Sequence, residues 1–210
     1  MNKALVTKTV VFVGMFQVSD FDKFFFIKNG IFNEQEILVQ SIYTSDFSLI
    51  IIKGLNVLIL PNQIVISETP LSNNRIKDIA LKLGEFIRSN TTALGINFSW
   101  NLIVTSSLED ESKRLFFNEN NKIYKSIFNT PKAVFGAYMS KEIENGRLKL
   151  DIKPQIQKHI ITNETTNAIN FSFNYHFDIA NNDSKEVITS SINKHDTYLK
   201  ESEEIISIYD

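Results

Sequence analysis

Cysteine is absent from the 210-residue chain, which excludes disulfides, cysteine-ligated zinc, iron–sulfur clusters and thiol nucleophiles. That composition is compatible with a reducing compartment. Glycine is scarce, at 7 residues, so a backbone nest able to cradle phosphate is hard to place. The phosphate loop, the dinucleotide fingerprint, the His-Glu-x-x-His zinc motif, the Gly-x-Ser-x-Gly elbow and the calcium loop are all missing. No stretch reaches the ~20 apolar residues that a membrane helix needs. The apolar segment Thr9 to Phe16 alternates and runs into Gln17, Ser19 and Asp20, unlike a secretion signal. A cytoplasmic protein with no membrane partner is therefore expected. Charge of one sign is lacking too: the net charge is −2, and residues 1–105 and 106–210 carry +1 and −3. Neither half has the concentrated Lys/Arg footprint that phosphate-driven binding requires, so nucleic acid is not an expected partner.

What is present suits an ordinary globular core. Hydrophobic residues make up 43% and charged residues 22% of the chain. A chain of this length can bury roughly 70% of the surface it exposes unfolded. The first half reads as strands at Thr7–Phe16, Leu38–Tyr43, Ser48–Lys53, Val57–Leu60 and Ile64–Glu68, divided by turn residues in the manner of an antiparallel meander. The period then changes. Ile76, Ile79, Ala80, Leu83, Phe86 and Ile87 recur at helical spacing within Asn73–Ser89, capped by Ser72 or Asn73. Gly84 inside that helix marks a close approach to the sheet. Ala93–Thr105 returns to strand, and a helix starting at Ser107 runs towards Phe128, with Asn118 to Asn121 as an interruption. A hairpin is expected around Glu144-Asn145-Gly146, then a strand over Asn167–Ile179. A last helix, capped by Asp183 or Ser184, reaches about Ile208. The fold class is α+β: antiparallel sheets packed against about three helices.

One segment repeats. Ile96-Asn97-Phe98-Ser99-Trp100-Asn101 recurs as Ile169-Asn170-Phe171-Ser172-Phe173-Asn174, identical at five of six positions. Two weaker echoes keep the same order: Val10-Val11-Phe12 with Ala133-Val134-Phe135, and Ile59 to Ile64 with Ile152 to Ile156. They suggest one domain over 1–210 built from two pseudo-symmetric halves, about 1–105 and 130–210, joined by a helix. The alternative is chance likeness among strands rich in Asn and Phe. Period-2 alternation puts Ile96, Phe98 and Trp100 on one face and Asn97, Ser99 and Asn101 on the other. Ile169, Phe171, Phe173 and Tyr175 repeat the pattern. Each aromatic face is expected beneath a helix, in the manner of half-barrel folds in which a sheet wraps a helix.

Candidate chemistry is thin. His159, His176 and His195 are the only histidines. His176 and Asp178 share a strand face, where a carboxylate could orient an imidazole, but no partner nucleophile is evident and a solvated polar face is favoured. Asp20 and Asp22 read as turn residues, and Glu109-Asp110-Glu111 as first-turn acids favoured by a helix dipole. Phe21, Phe24, Phe25, Phe26, Ile27 and Phe32 form the densest apolar cluster, read as an element plugging the sheet, with an exposed docking patch as the alternative. On the last helix, Ile188, Ile192, His195, Leu199, Ser202, Ile206 and Tyr209 fall at alternating four- and three-residue steps. Packing against the chain's own sheet is favoured over dimerisation there.

Phe86–Ser89 followed by Leu94-Gly95-Ile96-Asn97-Phe98, an amphipathic helix running into a glycine-led strand, resembles a sporadically distributed family of uncharacterised bacterial proteins. The terminal helix after a Phe-rich strand fits that family. Its Arg-Tyr-x-Asn stretch is missing here, with Ser99-Trp100-Asn101 in its place. The resemblance covers about a third of the chain and implies no activity.

No catalytic, cofactor-binding or metal-ligating residue is assigned, and no cofactor is expected. The residues expected to meet a ligand or partner are Phe98, Trp100, Phe171, Phe173 and Tyr175. The favoured function is a non-enzymatic binding or protein-interaction module capable of self-association. The alternative is a small-ligand binder or unrecognised enzyme with a cavity between a curved sheet and a helix, lined by those same rings.

Overall fold

Branched and aromatic side chains at every second position drive the strands, because a pleated ribbon sends successive side chains to opposite faces and only one face need be dry. The computed structural model describes residues 2–70, 74–158, 164–180 and 184–209. Over them run β1 (Asn2–Gly14), α1 (Lys23–Lys28), β2 (Ile42–Tyr43), β3 (Ser48–Ile52), β4 (Leu55–Leu60), β5 (Gln63–Glu68) and α2 (Ile76–Ile87). Then follow β6 (Thr91–Ile103), α3 (Leu108–Phe116), α4 (Lys122–Ser126), β7 (Ala137–Ile143), β8 (Gly146–Lys158), β9 (Thr165–Asp178), α5 (Ser184–Asn193) and α6 (His195–Ser207).

All strands join one nine-stranded sheet in the order β2-β3-β4-β5-β1-β6-β9-β8-β7, each neighbouring pair antiparallel. The α+β antiparallel class is as expected, with one continuous sheet where several were anticipated. Among the described residues there are six α-helices where about three were expected. The segment from Ser107 divides into α3 and α4, the Phe-rich cluster contains α1, and the last helix breaks at Lys194. Ser107 caps α3, its Oγ accepting from the Asp110 amide at 3.1 Å. The other proposed caps, Ser72, Asn73 and Asp183, lie outside the described residues, as does His159.

The helices gather on one side of the sheet. α2 lies against β1, β5 and α5; α6 crosses β6 and β9; α3 touches β8 and β9. Beneath them alternate positions form the core: Val10 and Phe12 of β1, Ile50, Val57, Ile59 and Ile66 of the meander, and the aromatic edges of β6 and β9. Gly84 was expected to mark a close approach to the sheet, and the close neighbour is instead a helix. A Cβ there would press on Ile188 of α5 at 3.2 Å but meet Phe12 of β1 at an ordinary 3.7 Å, so the glycine eases the packing of α2 on α5 more than its approach to the sheet.

The two repeated segments meet. β6 and β9 pair so that Asn97 faces Asn174, Phe98 faces Phe173, Ser99 faces Ser172, Trp100 faces Phe171 and Asn101 faces Asn170. The motif reads nearly the same in both directions, so antiparallel pairing sets like beside like. The weaker echoes sit differently. Val10 to Phe12 is strand while Ala133 to Phe135 is irregular, and Ile59 to Ile64 spans a turn while Ile152 to Ile156 lies inside β8.

Candidate functional site

The residues expected to meet a ligand or partner are sealed under α6. Phe98, Phe171 and Tyr175 have no exposed surface, Phe173 is 1% exposed and Trp100 6%. Trp100 donates its indole N–H to Ser202 Oγ at 2.9 Å, and Tyr175 donates its hydroxyl towards Tyr198 O at 3.2 Å and Glu201 Oε2 at 3.1 Å. Tyr175 stacks on Tyr198 with centroids 4.3 Å apart. Burial, with Glu201 alongside, holds the Tyr175 hydroxyl far above the ordinary phenol range. Polar tips paired and bodies packed, these rings hold the helix to the sheet and offer no surface as they stand.

The last helix uses its seam the same way. Ile188, Ile192, His195, Ser202 and Ile206 are buried against the chain's own sheet, through a helix broken in two. Of the Phe cluster, Phe21, Phe26 and Phe32 are buried and Phe24 is exposed. Phe25 meets Phe86 of α2 edge-on at 5.5 Å, so α1 closes one end of the helical layer. His176 Nε2 lies 3.2 Å from Asp178 Oδ1 at the exposed surface. Among the described residues no group of three metal-ligating side chains converges, and no helix is long and apolar enough to cross a membrane.

A charged cluster beneath the helices had no linear signal. Lys8 Nζ lies 2.6 Å from Glu68 Oε2, with the two side chains 5% and 0% exposed. Asn74 Oδ1 accepts from Lys8 at 2.7 Å, and Glu68 Oε1 accepts from the Arg75 amide at 2.6 Å at the start of α2. Next to it, fully buried His195 sits 5.1 Å from the Phe98 ring, its Nδ1 3.0 Å from Asp196 Oδ1 and its Nε2 without a hydrogen-bond partner among the described residues. Burial pushes the His195 imidazole below its usual value of 6.5, against the pull of Asp196 and Glu68 and with the help of Lys8. Lys77 of α2 reaches Asp196 at 3.8 Å.

The sign of the pH effect follows. Below about pH 6.5 the unfolded chain takes up a proton that native His195 resists, so stability falls as pH falls. Urea titrations from about pH 8 to about pH 5 should show that loss, and His195→Gln should flatten it. An equally steep loss in the variant would remove His195 as the cause.

The other side of the sheet carries no helix among the described residues. Antiparallel sheets often leave one face to water, and such a face normally reads as polar and charged. Here its two halves differ. On β1 to β5 the apolar outward positions are Val11 and Val13, Ile42, Leu49 and Ile51, Leu58 and Leu60, and Val65, placed on one side by the register. Ile42 and Val13 are 43% and 39% exposed and the rest half-buried. The polar positions among them are Asn56, Gln63 and Ser67, and from Thr7 to Leu60 no strand sends a charged side chain outward.

The half built on β6 to β9 is polar. One rung runs across the strands as Thr9, Asn97, Asn174, Lys149 and Ser140. The next runs Thr7, Ser99, Ser172, Asp151 and Tyr138. The Asn174 amide donates to Asn97 Oδ1, whose own amide donates to Thr9 Oγ1 at 3.0 Å. Asn170 donates to Ser99 Oγ at 2.9 Å and Asn101 Oδ1 at 3.0 Å. A shallow depression of about 390 Å³ opens over these rungs, with Tyr138 at its rim. The alternation placing Asn97, Ser99 and Asn101 opposite the rings was legible in the sequence; the absence of a covering helix was not.

No protein-family model matches the chain, and no curated protein matches it.

Proposed function

We propose that the chain is a non-enzymatic interaction module that self-associates through the outward side of β1 to β5. The observation that supports this is the composition of that half-face: Val, Leu and Ile with amides and hydroxyls and no charge, on the side of the sheet opposite the helices. Leaving such a patch wet forfeits about 25 cal/mol for each Å² of apolar surface it could bury. A patch without charge neither repels its own copy nor selects a charged partner, which favours a two-fold pairing of identical faces about 10 Å apart. Strands β3, β4 and β5, with the stretch of β1 from Lys8 to Val13 that pairs with β5, lie about 4.8 Å apart and give a footprint of roughly 400 Å². Counted over both copies, that stays below the ~1,200 Å² at which stable interfaces begin, so the association is weak and concentration-dependent.

Like facing like across β6 and β9 supports a duplicated strand at the centre of the molecule. The segments resembling the sporadically distributed bacterial family fall at the end of α2 and in β6, and membership would bring no activity with it.

Sedimentation equilibrium up to about 200 μM tests the reading. The wild type should populate a dimer. Leu58→Glu, at a half-buried outward position, should stay monomeric with an unchanged melting temperature. A monomeric wild type throughout, or a dimer that Leu58→Glu leaves intact, would overturn it.

A further inference from the structure

The polar half of the open face lies outside the association surface and has a chemistry of its own. Its amides are fixed. Asn174 spends one amide donor on Asn97, and Asn97 one on Thr9, so the Asn174 carbonyl oxygen is left without a partner among the described residues. Ser99 accepts from Asn170 and keeps its hydroxyl proton for an outside acceptor. Lys149, half-buried on β8, forms no ion pair among the described residues, while Asp151, on the same face of that strand, pairs with Lys153. Donors and acceptors thus alternate across a few ångströms of rigid sheet, held at strand spacing.

Such an array fits some ligands poorly. A phosphate or sulfate accepts only, and would meet the Asp151 carboxylate and the Asn174 carbonyl. A nucleic acid needs a cationic track, but here Arg147 pairs with Glu142 and Lys153 with Asp151. A sugar hydroxyl donates and accepts at once, and adjacent hydroxyls of one ring want the mixture these rungs supply. The rim adds a further element. Tyr138 stands on edge strand β7 directly opposite Asp151, 65% exposed, and its ring can lie against the apolar C–H face of a pyranose. The depression of about 390 Å³ falls within the range of small-ligand sites.

We propose that the depression over Asn97, Asn174, Lys149 and Asp151 binds a pyranose saccharide, with Tyr138 stacked on its apolar face. Saturation-transfer-difference NMR with the methyl glycosides of glucose, galactose, mannose and N-acetylglucosamine tests this, using the full chain. At least one glycoside should receive magnetisation, with the strongest transfer to ring C–H protons. Tyr138→Ala and Asn174→Ala should each weaken its affinity by about tenfold or more, with the melting curve unmoved in Tyr138→Ala and the fold retained in Asn174→Ala. No transfer to any of the four would overturn the proposal. So would transfer that both variants leave unchanged, or displacement of the glycoside by millimolar inorganic phosphate, which would mark an anion site. The same titration on Leu58→Glu separates the two ideas: saccharide binding there is expected at wild-type strength whatever the state of association.

Discussion

Glu68→Gln is expected to destabilise the protein by about 3–5 kcal/mol, the cost of stranding one member of a buried ion pair. The glutamine carbonyl can still accept from the Arg75 amide, so the start of α2 keeps its bond. The charge is what goes. Lys8, 5% exposed, is left with Asn74 Oδ1 in place of a carboxylate 2.6 Å away. For a chain of this length the loss corresponds to a melting temperature lower by about 6–20 °C. The double variant Lys8→Met/Glu68→Leu removes both charges and should recover most of the loss, because the pair's attraction is largely spent on its own desolvation. Urea denaturation of the three proteins checks this. A double variant as unstable as Glu68→Gln would show that the pair contributes through shape and hydrogen bonding instead.

Phe98→Ala should cost as much by another route. The ring is fully buried between His195, at 5.1 Å, and Tyr175, at 6.1 Å, where α6 crosses the centre of the sheet. Deleting it removes the transfer energy of the ring and leaves a cavity the rigid sheet cannot close, together about 3–5 kcal/mol. Phe24→Ala is the control: that ring is 67% exposed, and its loss should fall within about 0.5 kcal/mol. Similar losses at the two positions would mean that Phe24 is covered in solution.

What could be read from the sequence divides along the same line. The alternation in Ile96 to Asn101 carries its own face assignment, since a two-residue period has one solution once the aromatics are placed inward. The amphipathic stripe of α2 and the Glu144-Asn145-Gly146 turn are likewise local signals; Asn145, at φ 58°, takes the positive backbone angle that such a turn requires. Leu38 to Tyr43 misled. Only Ile42 and Tyr43 pair as strand, while Ser41 bridges to Ile51 through its side chain at the sheet edge. The last helix looked continuous because helical periodicity survives a break of one residue. There Lys194 leaves helical geometry and reaches Glu144 of the β7–β8 turn at 2.6 Å.

The open face and the buried charges were hidden for a different reason. Ile50-Ile51-Ile52 reads as a strand buried on both sides, and only the placement of every helix on one side leaves Ile51 outward. Lys8 and Glu68 lie sixty residues apart in sequence and become partners through the β1–β5 register. No local pattern encodes either fact.

Solvent accessibility of individual methyl groups addresses the open face directly. With the Leu and Val methyls labelled and a soluble paramagnetic agent added, Leu49, Leu58 and Val65 should relax fast in dilute protein and become shielded as concentration rises, while Val57 and Leu83, buried under the helices, stay protected throughout. Outward methyls already shielded in dilute, monomeric protein, or equally exposed at every concentration, would contradict a bare apolar face that serves as the contact between copies.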